Sequence, residues 1–181
     1  MKGTYESYLG LPPVVGNSKY NAFRSIKERV WKKINNWKNS FLSVAAKEVL
    51  IKAVLQAVPT YTMSVFQLPK QLCEKLNVML AKFWWGNHQK GSGVHWCSWE
   101  RMEKQKGKGG LGYRDLESFN LALLAKQGWR LLQNTSSMAA KILKEKYFNE
   151  KSLLEAKLGH RPSYLWRSVW NAVSLLKEGL R

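Results

Sequence analysis

The chain has 181 residues, and its 30 Lys and Arg against 12 Asp and Glu give a formal net charge of +18 at pH 7. This charge favours polyanionic partners, and the single aspartate, Asp115, leaves too few clustered carboxylates for two-metal phosphoryl transfer or paired acid and base hydrolysis. Because 45% of the residues are apolar and nine are Trp, the chain is expected to fold around a core, unlike a disordered basic tail.

The cysteines and the hydropathy of the sequence indicate which cellular compartments are expected. Cys73 and Cys97 are isolated, which favours a reducing intracellular compartment over a disulfide-stapled secreted protein. The first residues hold no apolar run, so we expect neither a signal peptide nor an Arg-rich presequence. No stretch approaches the roughly 18 apolar residues of a membrane span. The sequence therefore predicts no membrane partner and leaves nucleus and mitochondrion open.

The first predicted helix covers residues 18–39 and combines an apolar stripe with a basic face. The stripe recurs at steps of three and four: Phe23, Ile26, Val30, Ile34 and Trp37. The remaining surface has one carboxylate, Glu28, against seven cations: Lys19, Arg24, Lys27, Arg29, Lys32, Lys33 and Lys38. A charge run is usually a solvated face. Because i,i+4 ion pairs cannot absorb this excess, we instead predict contact with nucleic-acid phosphates.

Two further helices are predicted before the middle of the chain. Ser43 can cap a helix that runs to about residue 58 and is stopped by Pro59. Its apolar residues go most of the way round, which is typical of a central, buried helix. A third helix starts at Pro69 and stops at Gly86.

The segment after Gly86 interrupts the helices. Residues 94–99 are the one plausible short strand, and residues 104–112 form a flexible basic loop with four glycines. The loop has the glycine content of a phosphate cradle but lacks the terminal Lys-Ser or Lys-Thr of a P-loop. A tight connection is therefore the preferred interpretation, with Lys106 and Lys108 lying against a backbone phosphate as a second contact.

The C-terminal third is predicted to be helical. Asp115 is placed as the N-cap of a helix over 116–133, and helices are also predicted over 136–147 and from 162 or 163 to about 177. The fold class is thus mainly α, a bundle of about six helices with one short loop-and-strand interruption. We divide the chain into an extended leading segment, 1–17, a basic helical region, 18–105, and a helical connecting region, 106–181.

Neither metal binding nor catalysis by one carboxylate is predicted. Cys73, His88, His95 and Cys97 lack the close ligand pairs of a structural zinc site, so no metal and no other cofactor is expected. Asp115 lacks a partner for acid and base chemistry.

The nine tryptophans divide into core and surface candidates. Trp31, Trp37, Trp129, Trp166 and Trp170 lie at or beside apolar helical positions, which usually means a place in the core. Trp84, Trp85, Trp96 and Trp99 flank the polar loop and could stack on unpaired bases. We expect most of these four in the core as well, with Trp84 or Trp85 as the favoured exception.

About nine short motifs follow one another in a fixed order from Tyr8 onward. They are Tyr8-Leu9-Gly10-Leu11-Pro12; Leu42-Ser43 with Lys47 and Leu50-Ile51-Lys52; Pro59-x-Tyr61-x-Met63-Ser64; Leu68-Pro69; Phe83-Trp84-Trp85-Gly86; Gly109-Gly110-Leu111-Gly112; Phe119-Asn120-x-Ala122-Leu123-Leu124-Ala125-Lys126-Gln127 with Trp129-Arg130; Lys146-Tyr147-Phe148; and Arg161-Pro162-Ser163-Tyr164-x-Trp166. This order resembles the stretch after the polymerase core in plant LINE-type, non-LTR retrotransposon reverse transcriptases.

The resemblance implies a thumb and connecting region without the catalytic centre. In that family the Tyr-x-Asp-Asp carboxylates precede the first of these motifs, and a Cys/His-rich zinc segment and, in many members, an RNase H domain follow the last. Glu103 and Gln105 stand where the family often has Cys and Pro, which removes a possible ligand partner of Cys97.

The resemblance implies a non-catalytic fragment of an RNA-directed DNA polymerase. With the basic charge, it predicts sequence-independent binding of an RNA/DNA duplex or RNA, and no small-molecule substrate is expected. The predicted contacts are Arg24, Lys27, Lys32, Lys33, Lys106 and Lys108. The alternative is a helical module recruited by the host, in which the aromatic surface around Trp84 and Trp85 binds protein.

Overall fold

The computed structural model describes residues 10–12, 15–16, 18–37, 42–86, 95–149 and 151–180. Its α-helices are α1 Lys19–Ala22, α2 Arg24–Asn36, α3 Val44–Leu50, α4 Thr60–Met63, α5 Lys70–Trp85, α6 Trp99–Glu103, α7 Leu116–Gln133, α8 Met138–Leu143, α9 Tyr164–Asn171 and α10 Val173–Gly179. Ile51–Leu55 and Lys144–Phe148 are π-helical, and Lys106–Lys108 and Leu153–Glu155 are 3-10 turns. The predicted mainly α fold class is confirmed.

The predicted helices are found, several of them divided. α5 and α7 match their predicted ranges, and Asp115 directly precedes α7. Ser43 caps α3, because its Oγ accepts a hydrogen bond from the Ala46 amide at 3.2 Å. Phe23 separates α1 from α2, and Ala172 separates α9 from α10.

The predicted short strand over 94–99 is wrong within the described residues. Residues 95–98 belong to no strand, and Trp99 begins α6. The Ser98 Oγ accepts the amide of Arg101 and so caps this helix, and Glu100 lies in its first turn, where a negative charge is favourable. The capping serine is thus the local signal that decides for helix.

The chain forms two compact units. Unit 1 comprises Met1–Thr60 and Leu68–Leu116, and unit 2 comprises Tyr61–Gln67 and Glu117–Arg181. The chain therefore enters unit 2 for one short segment, returns to unit 1, and enters unit 2 again at the start of α7. The division into 1–17, 18–105 and 106–181 stays a prediction about functional regions.

Unit 1 is built on the packing of α2 against α5. Phe23, Ile26 and Val30 are each 1% exposed. Val30 meets Leu76 and Leu80 of α5 around a gap with no room for a water molecule. Burial of each such side chain contributes about 1.5–3 kcal/mol, so this contact anchors the N-terminal helices.

The second predicted helix is only partly the central, buried element that its apolar pattern indicates. Ile51 and Leu55 in the π-helical turn are fully buried. α3 has no fully buried residue, and Val49 is exposed, so the prediction is wrong for this part.

The glycine-rich segment is a hydrogen-bonded turn, so the predicted tight connection is confirmed and the predicted flexibility is wrong. The amides of Leu111 and Tyr113 donate to the Met102 carbonyl, and the amide of Gly112 donates to the Lys104 carbonyl at 2.8 Å. A Cβ on Gly110 would lie 2.0 Å from the Lys104 carbonyl oxygen. The backbone can therefore close on itself here only because position 110 has no side chain.

Trp166 is the centre of one core cluster in unit 2. Its ring is fully buried and stacks on Tyr147, with ring centroids 4.8 Å apart, and on Phe148 at 5.5 Å. Its Nε1 donates to the Leu158 carbonyl at 3.1 Å. The last two motifs of the ordered series thus meet in this cluster, which also contains Leu153 and Val173.

Polar side chains hold Tyr61–Gln67 within unit 2. The buried Asn120 amide donates from Nδ2 to the carbonyls of Met63 and Phe66, at 2.8 and 3.0 Å. Ser168 Oγ accepts the Gln67 amide at 3.0 Å, and the Tyr164 hydroxyl donates to the Gln67 carbonyl. Buried carbonyls need such partners, so Asn120 fixes the path of this segment.

The Gly110→Ala substitution is expected to destabilise the protein by about 1–3 kcal/mol, because the new Cβ must displace backbone oxygens. Urea denaturation followed by Trp fluorescence measures the effect. The matched control is Gly107→Ala in the same turn, where an added Cβ meets nothing within 4 Å. Equal stability of the two variants would contradict the close approach at position 110.

The Asn120→Ala substitution is expected to cost about 1–3 kcal/mol, because two buried carbonyls lose their donor. The melting temperature should fall by roughly 2–4 °C for each kcal/mol. The control on the same helix is Gln133→Ala, an exposed site expected to change stability by no more than about 0.5 kcal/mol. An unshifted melt of the Asn120 variant would disprove the structural role of this amide.

Candidate nucleic-acid interface

The cations of α2 lie on both sides of its buried stripe rather than on one opposite face. At about 100° per residue, Arg24, Lys27 and Trp31 lie roughly 60–120° to one side of Val30. Arg29 and Lys33 lie at similar angles on the other side of Val30, and Lys32 lies opposite the stripe. Cationic positions therefore surround the part of α2 that α5 does not cover.

These cations have little internal compensation. Arg24 Nε contacts Glu28 Oε1 at 2.9 Å, in an exposed i,i+4 pair worth about 0.3–0.5 kcal/mol. Within the described part of the chain, Lys27, Arg29, Lys32 and Lys33 have no carboxylate within 4 Å. Lys27 is half-buried, and the other three are exposed. Lys38 lies outside the described residues.

The structure separates the two predicted cations of the glycine-rich turn. Lys106 Nζ lies 2.9 Å from Glu48 Oε1, an oxygen that Lys52 Nζ also contacts, at 2.7 Å. These hydrogen bonds, from Lys52 first and Lys106 second, lower the pKa of the Glu48 carboxyl. Lys108 is exposed and has no such partner among the described residues. Lys108 is thus the freer of the two for contact with a phosphate.

The two predicted stacking residues, Trp84 and Trp85, are half-buried. Their rings meet edge to face at 6.3 Å, and Trp84 also meets the Tyr113 ring edge to face at 5.8 Å. Trp99 covers another part of Tyr113 in a parallel stack, with centroids 5.0 Å apart. Both tryptophans therefore take part in the aromatic packing of unit 1, and their stacking on a base stays a prediction.

A lysine holds the end of α5 beside this aromatic cluster. Lys47 Nζ donates to the carbonyls of Trp84 and Gly86, at 3.3 and 2.6 Å. Burial lowers the pKa of this ammonium group. Burial, with a smaller effect of the Glu48 charge, raises the pKa of the Tyr113 hydroxyl. The two hydrogen bonds of Lys47 give it a structural role at the end of α5.

Three tryptophans are exposed: Trp31 at 58%, Trp96 at 81% and Trp129 at 40%. The predicted core position is confirmed for Trp166 but wrong for Trp31 and Trp129. The helical period contains the missed signal, because residue 31 does not belong to the stripe formed by residues 26, 30 and 34. Trp31 therefore extends the candidate interface, while Trp96 lies outside it.

The described residues contain no group of three or more His, Cys, Asp or Glu side chains placed to hold a metal ion. Cys73 is buried on α5, Cys97 is half-buried, and neither forms a disulfide. His88 lies outside the described residues. No helix in the described part is both long and apolar enough to cross a membrane.

Two proteins of Arabidopsis thaliana are similar to the chain. The putative ribonuclease H protein At1g65750 is 33% identical over 166 residues, which cover 89% of this chain and 25% of that protein. The uncharacterized mitochondrial protein AtMg00310 is 42% identical over 125 residues, which cover 68% of this chain and 81% of that protein. No family model and no solved structure matches the chain. The chain belongs to the same family as the uncharacterized mitochondrial protein AtMg00310.

Proposed function

We propose that this chain is a non-catalytic part of a plant LINE-type retrotransposon reverse transcriptase that binds template and primer nucleic acid. The binding surface is α2, with Arg24, Lys27, Lys32 and Lys33 as phosphate contacts, and Lys108 is a further contact. Lys106 joins them only where a phosphate displaces Glu48. The contacts are independent of sequence.

The observation that carries this proposal is the uncompensated charge of α2. Lys32 and Lys33 are exposed, and no carboxylate of the described residues neutralises them. Like charges one turn apart destabilise an isolated helix. A partner with regularly spaced negative charges would relieve this repulsion between lysines. A nucleic-acid backbone has such charges.

Lysine contacts account for the proposed lack of sequence preference. A lysine ammonium is a point charge on a flexible stem, and it neutralises a phosphate without reading the edge of a base. Such contacts hold a duplex of any sequence, as a polymerase needs while its template moves.

The relatives support the assignment to a retroelement. The name of one relative describes a putative ribonuclease H protein, and this chain spans a quarter of its length. The ordered motifs from Tyr8 onward resemble the region that lies between the polymerase core and the RNase H domain of LINE-type reverse transcriptases. The proposed place of the chain in such a protein agrees with both observations.

Replacing Lys27, Lys32 and Lys33 together by Gln tests the α2 surface. Each neutralised phosphate releases counterions, so the log-log dependence of duplex affinity on salt should flatten by about 0.9 for each lost contact, up to ~2.7 in total. The change should be the same for unrelated duplex sequences. Fluorescence anisotropy titrations at several salt concentrations measure the slope.

The matched control replaces Lys126, Lys141 and Lys177 by Gln, three exposed lysines on helices of unit 2. It removes the same charge but should leave the slope unchanged. Equal flattening in both triple variants would show a general charge effect and would refute a specific role of α2. An unchanged slope in a folded α2 variant would also refute it.

The purified chain should extend no primer in magnesium or manganese, because a single Asp and dispersed Glu residues cannot hold two cations. A primer-extension assay against a heat-inactivated control measures this. Extension that co-purifies with the chain through successive columns would overturn the non-catalytic assignment.

A further inference from the structure

Trp31 adds a second kind of contact to α2. We propose that the nucleic acid bound there presents unpaired bases, that one base stacks on the Trp31 ring, and that Lys27 holds the adjoining phosphate. This inference rests on the proposed function and specifies its ligand as single-stranded DNA or RNA, or an unpaired segment beside a duplex.

The Trp31 ring is available for such a contact. It is 58% exposed, and it has no hydrogen bond or ring contact with any residue that the structure describes. A large aromatic surface in water favours burial against another flat apolar surface. The face of a nucleobase is a surface of this kind.

The position of Trp31 on α2 excludes a place in the core of unit 1. Residue 31 follows Val30 and is turned by about 100° from it, whereas Val30 itself packs against α5. Rotation of the helix to bury Trp31 would expose Ile26 and Val30. The exposure of the ring is therefore fixed by the packing of the helix.

Cations lie beside the ring on the same side of the helix. Lys27 is one turn before Trp31, a spacing that places Cβ atoms about 5–6 Å apart, and Arg24 is one turn further. A flat aromatic ring flanked by positive charges is the composition of surfaces that bind single strands. A base on Trp31 would place its phosphate within reach of the flexible Lys27 stem.

The one carboxylate of α2 does not oppose this arrangement. Glu28 lies one turn before Trp31 and would repel a phosphate if it were unpaired. Arg24 contacts it at 2.9 Å, so the charge of Glu28 is compensated locally. Lys27 then provides the net positive charge beside the ring.

Trp31 distinguishes single strands from duplexes. Paired bases stack on one another inside a duplex and cannot reach a ring on the surface of a helix. Phosphates of both forms can reach the lysines. Loss of the ring should therefore weaken binding to unpaired bases alone.

Trp96 provides a matched control. It is the most exposed of the three exposed tryptophans, at 81%, but has no Lys or Arg within four residues along the chain. Removal of this ring tests whether any exposed Trp is sufficient or whether the cationic surroundings of Trp31 are required.

The experiment measures the affinity of the full chain for labelled oligonucleotides of one length by fluorescence anisotropy. The ligands are single-stranded DNA, single-stranded RNA and a blunt duplex. Trp31→Ala should weaken binding to both single strands by about five- to 150-fold and change duplex affinity by less than about two-fold. Trp31→Phe should retain most of the affinity, and Trp96→Ala should behave like the unmodified chain.

Two results for the Trp31→Ala variant would overturn the inference. One is unchanged affinity for both single strands, and the other is an equal loss of affinity for the duplex. If Trp31→Ala has no effect while the triple Gln variant of α2 still flattens the salt slope, the proposed function stands and this inference fails. If the unmodified chain binds none of the three ligands, both fail. Circular dichroism confirms that each variant is folded.

Discussion

The burial of one stripe of α2 against α5 determines the surface of unit 1. Ile26 and Val30 are buried, and the helical period then dictates which neighbouring positions face water. The cations and Trp31 are exposed for this reason, since any rotation that hides them would expose the stripe. A gain of about 1.5–3 kcal/mol for each buried apolar side chain far exceeds the repulsion among exposed lysines. The core therefore imposes the charged surface.

Because carboxylates are scarce in this chain, ion pairs within the protein can neutralise little of the positive charge of that surface. In the described part of unit 1, Glu28 is engaged by Arg24, and Glu48 is shared by Lys52 and Lys106. These two carboxylates therefore form ion pairs with cations other than Lys32 and Lys33. With a net charge of +18, further folding contacts cannot neutralise the excess, and an external polyanion can.

Local signals made much of the fold predictable, and long-range contacts account for what was missed. Pro69, Gly86 and the apolar period define α5 within the sequence. Ser43 likewise marks the start of α3. The assignment of Tyr61–Gln67 to unit 2 depends on Asn120, more than fifty residues away, which no local pattern reveals.

At the candidate interface, the charge of α2 was evident from composition. The exposure of Trp31 required knowing which face α5 covers, because a Trp beside an apolar stripe is usually buried.

Several residues of the motifs that carry the family resemblance are buried or closely packed within the two units. Gly110 permits a backbone contact, Asn120 holds a buried segment, and Trp166 stacks on Tyr147. The proposed nucleic-acid contacts on α2 lie between the motifs that end at Pro12 and begin again at Leu42. Packing constrains motif residues from several sides, whereas an exposed lysine is constrained only by its partner. A protein can therefore keep every motif, and with them the fold, while losing the charge of α2. Membership of the family and the proposed binding of nucleic acid are therefore separate questions, and the binding needs its own measurement.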